Sequence, residues 1–121
     1  MTDGELYARA VAAAEHAYAP YSQFHVGAAV LTRDGHVLEG VNVENAAYPL
    51  GVCAERTALS RAVTEGYRPG DLEAIGITAS PCGGCRQWLA EFRVDRVTYK
   101  NAAGEVVTTT PAELLPDTFE L

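Results

Sequence analysis

The three cysteines of the chain, Cys53, Cys82 and Cys85, are its strongest candidates for metal chemistry. Cys82 and Cys85 form a Cys-Gly-Gly-Cys pair, which alone fits a redox switch, half of a structural zinc site or part of a catalytic one. A redox pair needs no distant third cysteine, and a structural zinc site needs a fourth ligand. Three thiolates without a fourth protein ligand would leave one position on zinc open for a water molecule. The cysteine count therefore favours a catalytic zinc site.

The histidines are the remaining candidates for a fourth ligand. His16 falls in a predicted helix and His36 in a predicted hairpin, and we expect both side chains to face solvent. His25 could serve as a ligand by its type, but it lies on a predicted strand that is far along the chain from both cysteine segments. We therefore expect a metal site made of cysteines alone.

Two charged residues closely follow Cys53, namely Glu55 and Arg56. A glutamate near a helix start often only complements the helix dipole, but beside a water on zinc it can carry protons to and from a substrate. The sequence favours this proton-carrying role for Glu55. Arg56 has two alternatives: a surface ion pair, or hydrogen bonds to the cysteine sulfurs that offset the net negative charge of three thiolates on Zn²⁺.

Helix-like and strand-like segments position these side chains. The predicted helices are 4–17, 52–66 and 80–92, with a short turn at 111–115, and the predicted strands are 24–32, 36–43, 72–79, 95–100 and 105–110. Gly66 suits a left-handed cap of the second helix, and Ser80 with Pro81 suits the start of the third. The cysteines then lie in the first turns of the second and third helices, where the helix dipoles would lower their pKa.

The order of these segments predicts the fold class. Alternating strands and helices indicate a three-layer α/β/α fold with a five-stranded mixed sheet. Two of the links between strands contain a full helix, so we expect parallel strands with right-handed crossovers in the middle of the sheet. Residues 101–104 are too short for a helical crossover, so the last two strands should be antiparallel. Both cysteine helices should then begin at the same end of the sheet.

The composition limits the partners and the location of the protein. The chain has 121 residues, of which 48% are hydrophobic, so we expect one domain over 1–121. Its formal net charge of −7 argues against a nucleic-acid polymer as partner, since such binding rests on clustered Lys and Arg. No apolar run is long enough for a membrane span, and the N-terminus lacks a signal pattern. We therefore predict a cytoplasmic protein without a membrane partner.

Three ordered motifs carry a family resemblance. The segments "YAPYSQFHVGAAVLTRDGHVLEGVNVENAAY", "CAERTAL" and "SPCGGCRQWLAEF" are similar to the small homotetrameric cytidine deaminases of pyrimidine salvage, and the match extends from about Tyr18 to Phe119. The resemblance implies hydrolytic deamination of cytidine and deoxycytidine with one Zn²⁺ per subunit. It assigns zinc to the three cysteines, proton transfer to Glu55 and hydrogen bonds to the sulfurs to Arg56.

The resemblance also assigns contacts to a nucleoside substrate. Asn42 and Glu44 would hold the sugar, whereas their pattern alone fits two polar residues that close a strand. Phe24 would stack on the base, with simple core packing as its alternative. The remaining implied contacts lie at Ala46, at the backbone of Ala54, and at Tyr48 and Phe119, which would reach into a neighbouring subunit of a homotetramer.

Two rival functions remain beside the cytidine deaminase reading. Blasticidin-S-type deaminases share the "CAE" and "PCGxCRQ" patterns, although "NVENAAYPLG" and "CAERTA" favour the cytidine enzyme. A non-catalytic zinc-binding module would keep the cysteines but would have no need of Glu55. The three functions differ in turnover: a cytidine deaminase would act on free nucleosides, a blasticidin-S-type enzyme on blasticidin S, and a non-catalytic module on neither.

Overall fold

The structure, a computed structural model, describes residues 1–121. In chain order its elements are α1 (Asp3–Ala13), β1 (Gly27–Thr32), β2 (Val37–Val41), α2 (Ala54–Thr64), β3 (Leu72–Ile77), α3 (Gly83–Phe92), β4 (Arg96–Lys100), β5 (Val106–Thr109) and α4 (Pro111–Leu114). The predicted order of helices and strands is confirmed, and Gly66 after α2 has the expected positive φ of 101°. None of the helices is long and apolar enough to cross a membrane.

The five strands form one mixed sheet in the order β2-β1-β3-β4-β5. Strands β4 and β5 are antiparallel, as predicted, and β3 and β4 are parallel. The prediction of a wholly parallel middle is wrong, because β1 lies between β2 and β3 and is antiparallel to both. Strands β2, β3 and β4 nevertheless point the same way, so the helices that follow β2 and β3 begin at one end of the sheet.

The sheet is covered on both faces, which gives the predicted three layers. Every residue of β1 is buried, as expected for a central strand between two layers. Alternate β1 side chains enter two different clusters: Ala28 and Val30 pack in the core that includes α2 and α3, and Ala29 and Leu31 pack against α1.

Two glycines allow helices to lie directly on the sheet. A Cβ at Gly40 of β2 would come within 2.3 Å of the Ala58 amide nitrogen in α2. A Cβ at Gly27 of β1 would come within 2.0 Å of the Ala10 carbonyl oxygen in α1. Gly40 therefore allows the close approach between the sheet and α2, the helix that carries Glu55.

The third helix begins later than the sequence predicts. Cys82, and not Ser80, is the N-cap of α3, and its Sγ accepts a hydrogen bond from the Cys85 amide at 3.4 Å. Ser80 and Pro81 instead provide oxygens that accept hydrogen bonds from the Arg86 side chain, at 3.3 and 2.9 Å. The arginine holds these two residues outside the helix, which explains why the Ser-Pro start is wrong.

Candidate active site

The thiols of Cys53, Cys82 and Cys85 converge between the starts of α2 and α3. Cys53 and Cys82 are the N-cap residues of the two helices, one position before the predicted first turns, whereas Cys85 lies in the first turn of α3. The three sulfurs lie within 4.8 Å of one another, and 3.9 Å separates those of Cys53 and Cys82. Sulfurs on one tetrahedral zinc at about 2.3 Å would be about 3.8 Å apart. The thiols therefore fit one zinc ion.

No other side chain joins the three thiols in this cluster. His25 is exposed and lies outside it, and His16 and His36 are exposed as expected. The prediction of a site with cysteine ligands only is thus consistent with the geometry. Because a tetrahedral ion has four positions, one position remains for a small ligand.

The three thiols differ in burial: Cys85 is buried, Cys53 is half-buried and Cys82 is exposed. Burial raises the pKa of Cys53 and Cys85, so the predicted lowering by helix dipoles is wrong for both. Burial also opposes ionisation of Cys82, but hydrogen bonds from the Cys85 amide, from the neighbouring thiols and from Arg56 outweigh it and lower its pKa. A cation that binds here must displace thiol protons, which suits a thiophilic ion such as zinc.

Arg56 supplies a fixed positive charge beside the sulfurs. Its Nη2 donates to the Cys82 Sγ at 3.8 Å, and its buried Nε has no partner. It forms no ion pair with a carboxylate, so the surface ion pair is the wrong alternative. The guanidinium lies so close to α3 that a Cβ at Gly84 would come within 2.3 Å of Nη2. This contact allows Arg56 to offset the charge of thiolates.

Glu55 is a buried carboxyl group next to the cysteine cluster. Its relative exposure is 4%, in the first turn of α2. Burial raises its pKa, and hydrogen bonds from its own amide and from the Cys85 thiol reduce that rise. Burial thus favours the protonated carboxyl group, and proton transfer is the task of a general acid and base.

Asn42 and Glu44 follow β2 and both bind the loop over 21–26. The Asn42 side chain accepts from the Val26 amide at 2.8 Å and donates to the Phe24 carbonyl at 2.8 Å. The strand predicted over 24–32 begins only at Gly27. Before it, the Asn42 side chain and not a neighbouring strand binds the Val26 amide and the Phe24 carbonyl. The Glu44 carboxylate accepts hydrogen bonds from the Tyr21 and Ser22 amides of the same loop, at 2.9 and 3.1 Å.

The aromatic residues of the predicted substrate site are exposed. Phe24, Tyr48 and Phe119 have relative exposures of 62%, 77% and 71%, so core packing is the wrong alternative for Phe24. Tyr48 contacts Tyr21 edge to face, with ring centroids 6.3 Å apart. The chain by itself therefore leaves these three rings largely uncovered.

The other predicted contacts differ in accessibility. Ala46 is exposed, and Ala54 is buried as the first residue of α2, where a helix amide has no carbonyl partner in its own helix. Phe119 lies in the C-terminal segment, along a cavity that Gln87 and Arg93 also line. None of the three cysteines lines this cavity.

Two cavities of the chain are lined by residues other than the three cysteines. A cavity of about 360 Å³ is lined by Tyr21, Ser22, Glu44, Asn45 and Tyr48. A second cavity of about 470 Å³ lies between α2 and α3, and its lining contains no thiol and no buried titratable group. We place the chemistry at the cysteine cluster, because only there do a metal-binding set and a buried carboxyl group meet.

Sequence reasoning missed Ser22. Its hydroxyl donates to the Glu44 carboxylate and accepts from the Phe24 amide at 3.0 Å. In the sequence it stands in "PYSQF" and has the pattern of an ordinary turn residue. Ser22 is distinguished only by its contact with Glu44, which lies 22 residues further along the chain.

Comparisons with known proteins agree with this geometry. A family model described as the cytidine and deoxycytidylate deaminase zinc-binding region matches residues 1–101. A cytidine deaminase of Halalkalibacterium halodurans is 47% identical, with 94% of this chain and 91% of the relative covered. The crystal structure of a cytidine deaminase from Burkholderia pseudomallei is 48% identical with a TM-score of 0.91, and the match covers 98% of this chain and 100% of the other.

A more distant relative represents the predicted rival. A blasticidin-S deaminase of Bacillus cereus is 30% identical, with 78% of this chain and 76% of its own length covered. Its lower identity agrees with the preference that the motifs give for the cytidine enzymes. The chain belongs to the zinc-binding cytidine and deoxycytidylate deaminase family.

Proposed function

We propose that the chain is a zinc-dependent cytidine deaminase of pyrimidine salvage, which converts free cytidine and deoxycytidine to uridine and deoxyuridine and releases ammonia. One observation carries the proposal: three converging thiols lie beside the buried carboxyl group of Glu55. A non-catalytic zinc module would have no use for a carboxyl group buried at such a cost. Cys53, Cys82 and Cys85 would hold one Zn²⁺ per subunit.

The residues of the chain divide the chemistry between them. Cys53, Cys82 and Cys85 would hold the zinc ion, which would supply the Lewis acidity that makes water nucleophilic at neutral pH. Glu55 takes one proton from the attacking water and delivers it to N3 of the cytosine ring, which makes C4 electrophilic. The water oxygen bonds to C4. Glu55 then carries the second proton of the water to the exocyclic amine, the C4–N bond breaks as ammonia leaves, C4 becomes a carbonyl, and Glu55 returns to its starting carboxylate.

Arg56 and the start of α3 favour ionisation of the Cys82 thiol. Arg56 lies against Cys82, and the amide of Cys85 donates to the same sulfur. Both groups place positive charge beside sulfur, which offsets the third thiolate. This electrostatic balance preserves the Lewis acidity that the reaction needs.

The substrate contacts suit a free nucleoside. Asn42 and Glu44 offer an amide and a carboxylate, which can bind neutral sugar hydroxyls, and the carboxylate would repel a 5′-phosphate. The exposed ring of Phe24 is available to stack on the base. Ala46 would add a rim contact, and the free amide of Ala54 would bind the base.

The assembly we propose is a homotetramer whose sites are shared between subunits. Its support is the exposure of Tyr48 and Phe119, two large rings that one chain leaves uncovered. Each ring would contribute to the site of a neighbouring subunit. A cytoplasmic location belongs to the same proposal, since it would keep the three free thiols reduced.

A substrate panel tests the proposed function. The zinc-loaded chain is incubated with cytidine, deoxycytidine, cytidine monophosphate and blasticidin S, and absorbance and ammonia are followed. We expect turnover of both free nucleosides and little turnover of the monophosphate. Turnover of neither nucleoside would overturn the proposal. Turnover of blasticidin S alone would establish the rival that the Bacillus cereus relative represents.

A further inference from the structure

We propose that Ser22 is a positioning residue that orients, with one hydroxyl group, both the sugar-binding carboxylate of Glu44 and the base-stacking ring of Phe24. The inference rests on the proposed function, because Glu44 and Phe24 receive their roles there. It adds a residue that no motif for metal binding or proton transfer contains. Its basis is a set of contacts that all meet at the Ser22 side chain.

The Ser22 hydroxyl uses both of its hydrogen-bonding capacities at once. It donates to the Glu44 Oε2, and it accepts from the Phe24 amide at 3.0 Å. A serine hydroxyl has a single donor, so its direction toward Glu44 is fixed by this bond. The same oxygen atom therefore links the carboxylate to the backbone that carries the aromatic ring.

The other Glu44 oxygen is held by the same turn. Oε1 accepts from the Tyr21 amide at 2.9 Å and from the Ser22 amide at 3.1 Å. These bonds hold the pKa of Glu44 below its usual range, with the Ser22 hydroxyl as the largest cause. A carboxylate offers about four lone-pair positions, so three donors leave about one for a ligand hydroxyl. Glu44 is thus fixed and ionised, with capacity left for a sugar.

The turn at Ser22 stores backbone strain that these contacts maintain. Gln23, between Ser22 and Phe24, has a φ of 59°, which non-glycine residues adopt only rarely. Its amide donates to the Ala19 carbonyl at 2.9 Å, and Asn42 holds the Phe24 carbonyl. Strained residues persist where the surroundings over-determine them, and such places are often functional. The Phe24 ring that follows this turn is exposed.

A cycle of variants and substrates separates positioning from a general structural role. Ser22→Ala, Glu44→Gln and the double variant are compared on cytidine and on 2′,3′-dideoxycytidine, which lacks both ring hydroxyls. Ser22→Thr keeps the hydroxyl group and should rescue Ser22→Ala. The matched control is Ser60→Ala, since Ser60 is an exposed serine of α2 outside the site.

We expect Ser22→Ala to lower kcat/KM for cytidine about tenfold, chiefly through KM, because a hydrogen bond to a charged group is lost. The loss should be several times smaller for dideoxycytidine, and it should shrink in the Glu44→Gln background. Ser60→Ala should leave kcat/KM unchanged for both substrates. Equal losses on both substrates, or no loss on either, would overturn the proposal.

A readout without turnover keeps this inference distinct from the proposed function. The carboxyl carbon of Glu44 is titrated by NMR in the wild-type chain, in Ser22→Ala and in Ser60→Ala. We expect the pKa of Glu44 to rise in Ser22→Ala only. An unchanged pKa would overturn the positioning role even in an active enzyme. An inactive wild-type chain with the expected pKa rise would overturn the proposed function and leave the link between Ser22 and Glu44 established.

Discussion

Glu55 and Cys85 lie in the core of the chain, whereas Phe24, Tyr48 and Phe119 are largely exposed. The metal-binding end of the site is thus formed by helix starts that the sheet supports, within one chain. The three exposed rings lie outside the strands and α-helices, and the same chain leaves them largely uncovered. The difference teaches that folding of one chain is enough to bring the metal-binding residues together, whereas the proposed substrate contacts would depend on loops and on neighbouring subunits.

The largest expected effect concerns the buried end of the site. Glu55→Gln keeps the shape of the side chain but removes its proton transfer, so turnover should fall about 10²- to 10⁴-fold while zinc is retained. Ammonia release and zinc content per chain measure the two quantities. The matched control is Glu91→Gln, an exposed glutamate on α3 that should change neither. Unchanged turnover in Glu55→Gln would remove the carboxyl group from the mechanism.

Arg56→Gln tests whether the buried end depends on the fixed cation. The guanidinium contacts the Cys82 sulfur, so its loss should weaken zinc binding or activity about 10- to 100-fold. Release of zinc to a chromogenic chelator measures the change. Arg61→Gln is the control, because Arg61 is exposed on the same helix and pairs with Glu65. Equal release rates in both variants would contradict the role of Arg56.

A pair of glycine substitutions tests how the sheet supports the metal site. Gly40→Ala forces a Cβ against α2, and Gly27→Ala forces one against α1, so each should cost about 1–3 kcal/mol of folding free energy. Only Gly40→Ala should also speed zinc release, because α2 carries Cys53 at its N-cap. Urea denaturation and chelator assays measure both effects. Equal zinc release in the two variants would show that α2 does not transmit the displacement.

The smallest expected change in folding stability concerns the rim. Tyr48→Ala should alter the free energy of unfolding by less than about 0.5 kcal/mol, because the ring is exposed. It should nevertheless raise KM for cytidine and shift the assembly toward smaller species in sedimentation. Val106→Ala, on the exposed edge strand β5, is the control. An unchanged KM and assembly would remove Tyr48 from the shared site.

The buried end of the site could be predicted from the sequence because its signals are local. Cys82 and Cys85 are about one helical turn apart, and Cys53 and Glu55 are separated by one residue. The start of α3 was misplaced at Ser80 because the competing hydrogen bonds come from Arg86, whose side-chain contacts no local pattern shows. Local patterns alone could not determine which atom caps that helix.

Long-range contacts explain the other differences. The insertion of β1 between β2 and β3 depends on pairing between Ala28 and Ile77, which are distant in the sequence. The link between Ser22 and Glu44 likewise joins two loops. The burial that raises the pKa of Cys85 arises from core packing, which a helix-dipole argument omits. Each of these features appears only when the chain is folded.

The most direct test of the metal site is X-ray absorption spectroscopy at the zinc edge of the zinc-loaded chain. We predict three sulfur neighbours at about 2.3 Å and one oxygen or nitrogen neighbour at about 2.0–2.2 Å. This result would establish Cys53, Cys82 and Cys85 as a three-thiolate set with one open position. Four sulfur neighbours, or two sulfurs with two nitrogens, would contradict it.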